Sequence, residues 1–329
     1  MRQLLDEAAA GGYAVGAFNV SNMEQVQAVM QAAQRTLSPV ILAVSRAGRA
    51  YSNDRFLVRL VEAALDLYPE LPVALHQDHG NSPETCFAAI ELGFTSVMMD
   101  GSLTEDGKTP SDFEYNVAVT RTVVERAHAV GVTVEGELGR IGGIEDGHGS
   151  GRKHLTDPDQ AVEFVERTGI DALAVAIGTS HGAYKFSEPP TGDVLAMDVL
   201  ERIHEWLPNV HLVLHGSSSV PKELVDRINE FGGDIRPTWG VPIAEIRRGI
   251  RHGVRKINVE TDARLAATGA LREFFYQRPG EIEPRAYLGA ARDAMRAVYE
   301  ERMAQFGQAG HAYDYEAVSL DRMREQYRR

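Results

Sequence analysis

The stretch Val73-Ala-Leu-His-Gln-Asp-His-Gly80 says more about the fold than any other part of the chain. A short apolar run passes into Asp78 and His79, and a glycine follows. The same order returns in Ile177-Gly-Thr-Ser-His-Gly182 and in Val213-Leu-His-Gly216. Each histidine stands where a strand of a parallel barrel would pass into a loop, and the glycine lets the backbone approach closely. Three neutral imidazoles converging at one end of such a barrel would form a site for zinc or a similar divalent ion.

Eight short apolar runs, many of them β-branched, predict eight strands. They cover residues 13–19, 40–45, 73–78, 96–100, 133–137, 172–177, 211–215 and 256–260. Segments with helical periodicity lie between them, at residues 23–34, 56–67, 83–92, 112–130, 158–167, 197–206 and 221–230. This alternation predicts parallel strands joined by right-handed crossovers. Eight repeats favour an α/β fold of the closed (β/α)8 TIM barrel type over an open sheet.

The chain becomes helical after Asp262 and stays so. Residues 263–275 and 286–306 have helical patterns, and the polar tail 323–329 is expected to fray. We therefore expect a catalytic barrel of residues 1–262 and a C-terminal helical extension of residues 263–329 that packs on it. The two parts would form a single domain, with the extension at a subunit interface.

Composition and charge exclude several classes of function. The chain has 329 residues, 43% apolar and 25% charged, with a net charge of −13. This acidity argues against nucleic acid or an anionic membrane as a partner, but a local basic site could still take an anionic substrate. Cys86 is the sole cysteine, so no intrachain disulfide can form. No segment has the apolar length of a membrane span or of a signal peptide, and a cytoplasmic protein is expected.

Polar residues close every predicted strand, at the end of the barrel where active sites lie. They are Asn19, Ser45, Asp78, His79, Asp100, Glu137, His181, His215, Asn258 and Glu260. Turn chemistry alone explains one or two such endings but not the whole set. Glu137 could be a fourth metal ligand or a carboxylate that supports a ligand. Four other histidines are better explained as core or surface residues, and His148 stays undecided. The four are His76, His128, His204 and His211.

Two late segments, 181–185 and 215–219, combine glycine and serine with Lys185, and segment 258–262 leads directly into a helix. Free backbone N–H groups and a helix N-terminus favour an anion, and barrels commonly bind phosphate after their last two strands. These segments predict a phosphate site, although simple loop chemistry is the alternative.

Half of the residues in segment 142–151 are glycine. The segment follows the fifth predicted strand. It is expected to form a mobile loop over the active site.

A set of motifs in fixed order carries a family resemblance. They are Ala17-Phe-Asn-Val20, Leu75-His-Gln-Asp-His-Gly80, Val134-Glu-Gly-Glu-Leu-Gly139, Gly142-Gly-Ile-Glu-Asp146, Gly178-Thr-Ser-His-Gly-Ala-Tyr-Lys185, Leu214-His-Gly-Ser-Ser218 and Glu283-Pro-Arg-Ala-Tyr-Leu288. Over nearly its whole length the chain closely resembles class II, zinc-dependent fructose-1,6-bisphosphate aldolases, and within them the Calvin-cycle subtype.

The resemblance implies a metal centre. His79, His181 and His215 would hold the catalytic zinc. Glu137, and with it Asp100, would belong to a second metal position. A monovalent cation is a further cofactor that the resemblance allows.

The resemblance also implies roles in catalysis and substrate binding. Asp78 would be the acid/base that serves the C4 hydroxyl, and Glu145 the base that acts on dihydroxyacetone phosphate. Arg285 would reach the other phosphate, often from a neighbouring subunit. The dihydroxyacetone-phosphate half would be bound by Gly182, Lys185, Gly216, Ser218, Asn258 and Thr261, with Asn19 and Ser45 as further pocket positions.

One residue departs from the family pattern. The family motif usually reads Asn-x-Asp-Thr-Asp, whereas Glu260 fills the first acidic position here. The charge is kept, but the carboxylate reaches one methylene further. This difference bears on the contact with a substrate hydroxyl and therefore on substrate preference.

The implied reaction is the reversible cleavage of fructose 1,6-bisphosphate to dihydroxyacetone phosphate and glyceraldehyde 3-phosphate through a zinc-stabilised enediolate. Sedoheptulose 1,7-bisphosphate is a further expected substrate, and a homodimer or higher homo-oligomer the expected assembly. Three alternatives stay open. They are a tagatose-bisphosphate aldolase, a metal-dependent hydrolase on the same barrel, and a barrel kept only as a scaffold. Such a hydrolase usually needs a His-x-His pair near the place of Asn19.

Overall fold

Eight parallel strands close into a barrel in chain order, β1 to β8. The computed structural model describes residues 1–142, 155–191 and 193–328. The strands are β1 (Val15–Asn19), β2 (Val40–Ser45), β3 (Val73–Gly80), β4 (Ser96–Met99), β5 (Thr133–Leu138), β6 (Ala172–Val175), β7 (His211–Leu214) and β8 (Val254–Val259). The predicted (β/α)8 TIM barrel is confirmed.

Helices follow the strands around the outside of the barrel. In the described part of the chain they are α1 (Arg2–Gly11), α2 (Met23–Thr36), α3 (Arg46–Ser52), α4 (Asp54–Leu67), α5 (Pro83–Glu91), α6 (Phe113–His128), α7 (Pro158–Thr168), α8 (Met197–Trp206), α9 (Lys222–Glu230), α10 (Ile243–Arg251), α11 (Thr261–Gln277), α12 (Pro284–Gln305) and α13 (Leu320–Tyr327). A 3₁₀ turn, Ala312–Asp314, precedes α13.

Side-chain caps fix where several helices begin. Asn22 accepts a hydrogen bond from the backbone N–H of Gln25 at the start of α2. Ser82 and Asp157 cap α5 and α7 in the same way, each directly before a proline at the first helical position. These caps satisfy N–H groups that have no partner within the helix. They also set where each helix leaves the strand end that precedes it.

The barrel closes where β8 pairs with β1, with Val15 opposite Lys256 and Phe18 opposite Val259. Side chains alternate between the barrel interior and the helix layer along each strand. On β3 the interior series is Ala74, His76 and Asp78, so the interior changes from apolar to polar toward the carboxyl ends of the strands. This polar half of the interior lies directly beneath the predicted site.

The segments after the barrel pack against its helix layer, where α12 contacts α2 and α11, and α11 contacts α9. The expectation that residues 323–329 fray is wrong as far as Tyr327. Residues 323–327 belong to α13, where Met323 is buried and the Tyr327 ring stacks on His128 with centroids 3.7 Å apart. The sequence prediction also missed α1, α3 and α10. Among the described residues, no helix combines the length and apolarity needed to cross a membrane.

Candidate active site

Three histidines converge at the carboxyl ends of the strands. His79 lies in β3, His181 follows β6, and His215 directly follows β7. Each offers a ring nitrogen, and the three nitrogens all lie within 4.8 Å of one another. Nε2 of His79 lies 2.9 Å from Nδ1 of His215. The chain therefore brings together the three imidazoles that the sequence predicted.

The backbone bends sharply at two points to bring these rings together. His79 has a φ of +46°, and the pairing of β3 with β4 shifts register between Gln77 and Gly80. A positive φ is unusual for a residue other than glycine, and outliers of this kind cluster at functional sites. Gly216 has a φ of +59°, and a Cβ there would lie 2.5 Å from the carbonyl carbon of Ser180. Glycine is thus required where the loop after β7 passes the loop that carries His181.

His215 is fully buried, and Glu135 binds the ring nitrogen that points away from His79. Its Nε2 donates a hydrogen bond to Oε1 of Glu135 at 2.9 Å, which leaves Nδ1 facing His79. Burial lowers the pKa of His215 well below its usual range, and the nearby Lys256 charge adds to the effect. A neutral ring with a fixed N–H is the form that ligates a metal ion.

A second group of possible ligands shares His79 and adds Asp100 and Glu137. Nδ1 of His79 lies 3.1 Å from Oδ2 of Asp100 and 4.0 Å from Oε2 of Glu137. Burial would raise the pKa of Asp100, but hydrogen bonds from His79 and Ser102 lower it below its usual range. The two carboxylates are therefore close enough to serve either a second cation or the orientation of His79.

Asp78 is fully buried between two amide side chains. Nδ2 of Asn19 lies 3.0 Å from its Oδ2, and Nδ2 of Asn258 lies 3.0 Å from both of its oxygens. Burial acts to raise the pKa of Asp78, but the charges of His79 and Lys256 outweigh it and hold the pKa below its usual range. The group is an oriented, ionised carboxylate next to the histidine cluster.

A polar pocket opens beside the histidines, between the loops after β6 and β7 and the start of α11. It is lined by Asn19, His181, Gly182, Lys185, His215, Gly216, Ser217, Ser218, Asn258, Glu260, Thr261 and Arg264. Nζ of Lys185 donates to the carbonyl oxygen of Gly216 at 2.8 Å and also to that of Ser180. Small residues, a lysine and the N-terminus of a long helix are the elements of an anion site.

An adjoining pocket shares Asn19, Glu260 and Arg264 with the first. Ser45 lies in its wall, where its Oγ accepts from the backbone N–H of Gly48 and begins α3. Glu260, the residue that departs from the family pattern, forms an ion pair with Arg264 one turn later in α11. Arg264 was not among the predicted site residues, although its spacing of four residues from Glu260 was a usable signal.

Two predicted site residues stand apart from this cluster. Arg285, at the start of α12, is not among the described residues that line either pocket. Its side chain is 89% exposed and forms an ion pair with Glu283 at 2.7 Å. Glu145, with most of the glycine-rich segment, lies outside the described residues.

Comparison with known proteins identifies the family. Residues 1–311 match the family described as class-II fructose-bisphosphate aldolase. The chain belongs to the class II fructose-bisphosphate aldolase family. A fructose-bisphosphate aldolase from Xanthobacter flavus is 55% identical over 99% of this chain and 96% of its own length. A class 2 fructose-bisphosphate aldolase from Synechocystis is 56% identical over 98% of this chain and 93% of its own.

A solved structure agrees with this assignment. The YdjI aldolase from Escherichia coli K12 superimposes with a TM-score of 0.74 at 31% identity, covering 94% of this chain and 98% of its own. The predicted family and the predicted enzyme class, an aldolase among the lyases, are confirmed. Class II aldolases depend on a metal ion, and the two groups of possible ligands are consistent with that dependence.

Proposed function

We propose that this chain cleaves fructose 1,6-bisphosphate to dihydroxyacetone phosphate and glyceraldehyde 3-phosphate, and forms it in reverse, with zinc held by three histidines. One observation carries the proposal. The ring nitrogens of His79, His181 and His215 converge within 4.8 Å beside the ionised carboxylate of Asp78. Metal ligands and an acid/base group thus stand together at the mouth of a phosphate-type pocket.

The donor set fits zinc. Three imidazoles with a coordination position left for substrate are a common catalytic arrangement for this ion. Glu135 and Asp100 fix the outer nitrogens of His215 and His79, as expected around a metal site. A divalent ion bound there supplies Lewis-acid stabilisation of the negative charge that develops as the carbon–carbon bond breaks. Asp100 and Glu137 are proposed as a second cation position.

Asp78 is proposed to take the proton from the C4 hydroxyl in cleavage and to return it in condensation. Asn19 and Asn258 orient its oxygens, and its lowered pKa keeps it ionised at neutral pH, which is the form that can accept a proton. Glu145, outside the described residues, is proposed to exchange the proton at the carbon of dihydroxyacetone phosphate.

The pocket beside the histidines is proposed to bind the dihydroxyacetone-phosphate half. Gly182, Gly216 and Ser218 supply small residues around the phosphate, while Lys185 supplies positive charge. Thr261 presents the first N–H groups of α11. Holding the phosphate here keeps the reacting bond next to Asp78.

Arg285 is proposed to serve the other phosphate from a second copy of the chain. Its exposed position outside both pockets supports a role across a subunit interface rather than within one chain. This proposal implies a homodimer or a higher homo-oligomer.

Sedoheptulose 1,7-bisphosphate is proposed as a second substrate. The adjoining pocket continues from Asn19 and Glu260 toward Ser45, which offers room for one more carbon. Tagatose bisphosphate differs from fructose 1,6-bisphosphate only in the configuration of one hydroxyl group. Comparing the cleavage rates of the three sugars therefore tests whether Glu260 selects among them.

The first experiment follows fructose 1,6-bisphosphate cleavage by the purified chain before chelation, after chelation and with zinc restored. We expect activity to disappear with the chelator and to return with zinc. Activity that is indifferent to the chelator would remove the metal from the proposal. Asp78→Asn should lower turnover by roughly 10²–10⁴ while zinc remains bound. A near-normal rate in that variant would remove Asp78 from the mechanism.

A further inference from the structure

A lysine lies fully buried in the barrel interior beneath the histidine cluster. Lys256, on β8, is 0% exposed. Its ammonium donates to Oε1 of Glu135 at 3.1 Å and to Oδ1 of Asn258 at 2.8 Å. It also lies 2.9 Å from Oε2 of Glu135, a charge contact without hydrogen-bond geometry. A buried ion pair of this kind is commonly no more stabilising than apolar residues of similar size, so its presence here needs a reason other than stability.

The Glu135 side of this pair binds His215 on the ring nitrogen opposite to the one that would ligate the metal. Oε1 of Glu135 accepts from both Lys256 and Nε2 of His215. An ionised carboxylate can only accept hydrogen bonds, so it requires the proton of His215 to stay on Nε2. Nδ1 then carries the lone pair and faces His79. Lys256 supports this tautomer because its ammonium binds the Glu135 carboxylate and holds Oε1 in place opposite Nε2 of His215.

The hydrogen bond from Lys256 to Asn258 leads to Asp78, the proposed acid/base. Lys256 donates to Oδ1 of Asn258, and this bond fixes which way the amide faces. Its Nδ2 therefore points at Asp78 and lies 3.0 Å from both carboxylate oxygens. A flipped amide would direct an oxygen toward the carboxylate instead, which is repulsive.

We propose that Lys256 is a positioning residue for two groups at once: through Glu135 it fixes the tautomer of His215, and through Asn258 it fixes the donors to Asp78. Lys256 lines neither pocket. Besides the direct effect of its charge on Asp78 and His215, it acts on the site through these two neighbours. The inference deepens the proposed function, on which its catalytic half rests. The part of the proposal that concerns His215 can be tested without any substrate.

The test uses Lys256→Met in the full-length chain. Zinc affinity, measured by competition with a chromophoric chelator, should fall by about 10–100-fold, as is typical when a partner of a ligand is lost. In chain labelled with ¹⁵N-histidine and stripped of metal, the ¹⁵N shifts of His215 should move from the Nε2–H tautomer to a mixture. The turnover number at saturating zinc should also fall.

A double variant separates the two arms. In Glu135→Gln with Lys256→Met both members of the buried ion pair are replaced by neutral residues, which spares folding, and the glutamine oxygen can still accept from His215. This variant should recover zinc affinity and the Nε2–H tautomer toward those of the wild type. Its turnover number should stay low because Asn258 still lacks its donor.

Arg255→Met is the matched control. Arg255 neighbours Lys256 on β8 and is also buried, but its guanidinium donates to the carbonyl oxygens of Ile250 and Val254. This variant should lose stability while zinc affinity, tautomer and turnover stay unchanged.

Two results would overturn the proposal. One is zinc affinity within threefold of the wild type together with an unchanged His215 tautomer in Lys256→Met. The other is equal losses in Arg255→Met, since that would make the effect merely structural. If the wild type cleaves no fructose 1,6-bisphosphate, the proposed function fails, but the affinity and tautomer shifts in Lys256→Met would still support the positioning of His215.

Discussion

Histidines stand beside carboxylates at both ends of this barrel, but in opposite arrangements. At the carboxyl ends of the strands, the rings of His79, His181 and His215 face one another. At the amino ends, two histidines each face one aspartate. Nε2 of His128 lies 2.9 Å from Asp171, and Nε2 of His211 lies 2.7 Å from Asp6.

The difference shows what makes a histidine a candidate ligand. His211 holds α1 to β7 through Asp6, and His128 carries the stacked ring of Tyr327 from α13. The residues that these two histidines contact belong to the structural elements that the contacts hold together. At the other end, carboxylates bind the outer nitrogens of His79 and His215, and the inner nitrogens face a common space. Both ends of the barrel carry histidines, and they differ in the direction in which the ring nitrogens point.

The largest expected effect is on stability at the amino ends. Asp171 is buried and accepts hydrogen bonds from Arg2, His128 and the backbone N–H of Val134. Asp171→Ala leaves these donors without their acceptor and should cost roughly 3–5 kcal/mol of unfolding free energy. Urea denaturation measures the loss. Zinc affinity should remain that of the wild type, and a parallel drop in affinity would mean that the two ends are not separable.

The next effect is on the metal centre. His181→Ala removes one of three converging nitrogens, and zinc affinity should fall by more than about 100-fold, the upper range for losing a mere supporting partner. Competition with a chelator measures it. His211→Ala is the matched control and should leave affinity unchanged while lowering the melting temperature. Equal affinities in the two variants would contradict the distinction between the two ends.

The smallest effect concerns His76, which belongs to neither end. Burial, with the Lys256 charge second, lowers the pKa of His76 to about 3. As the pH falls below the unfolded value of about 6.5, the unfolded chain takes up a proton that the folded chain refuses. The free energy of unfolding should therefore decrease as the pH is lowered, by about 2 kcal/mol between pH 6.5 and pH 5.

Comparison with His76→Asn isolates this contribution. Denaturant titrations at pH 7 and pH 5 should show a smaller difference in the variant than in the wild type. An identical pH dependence would show that His76 does not stay neutral in the fold.

Much of the fold and of the candidate site could be predicted from the sequence. Strand and helix periods alternate along the barrel, so eight units and their parallel order follow from local patterns. Because parallel strands end at one rim, residues that follow different strands, such as His79 and His215, could be expected to meet. The approach of their nitrogens to 2.9 Å also needs the left-handed backbone at His79 and Gly216, which no pattern in the sequence indicates.

What could not be predicted depends on register and on distant contacts. Alternation puts Glu135 and Glu137 on the same face of β5, but only the register decides that Glu135 meets His215 and Lys256. In the polar tail, Met323 is the one buried residue of α13, so the sequence carried little signal for this helix. The stacking of Tyr327 on His128 joins positions far apart in the chain and leaves no local pattern.

The bonds to Asp78 also have a consequence for the order in which the barrel folds. Its donors come from β1 and β8, 59 and 180 residues away along the chain. Pairing of such distant segments is slow because a long loop must close first. During synthesis, the first three strands emerge together, but Asn258 arrives only with the last one. Until then, burial of Asp78 is costly, so this carboxylate disfavours a barrel that closes early without β8.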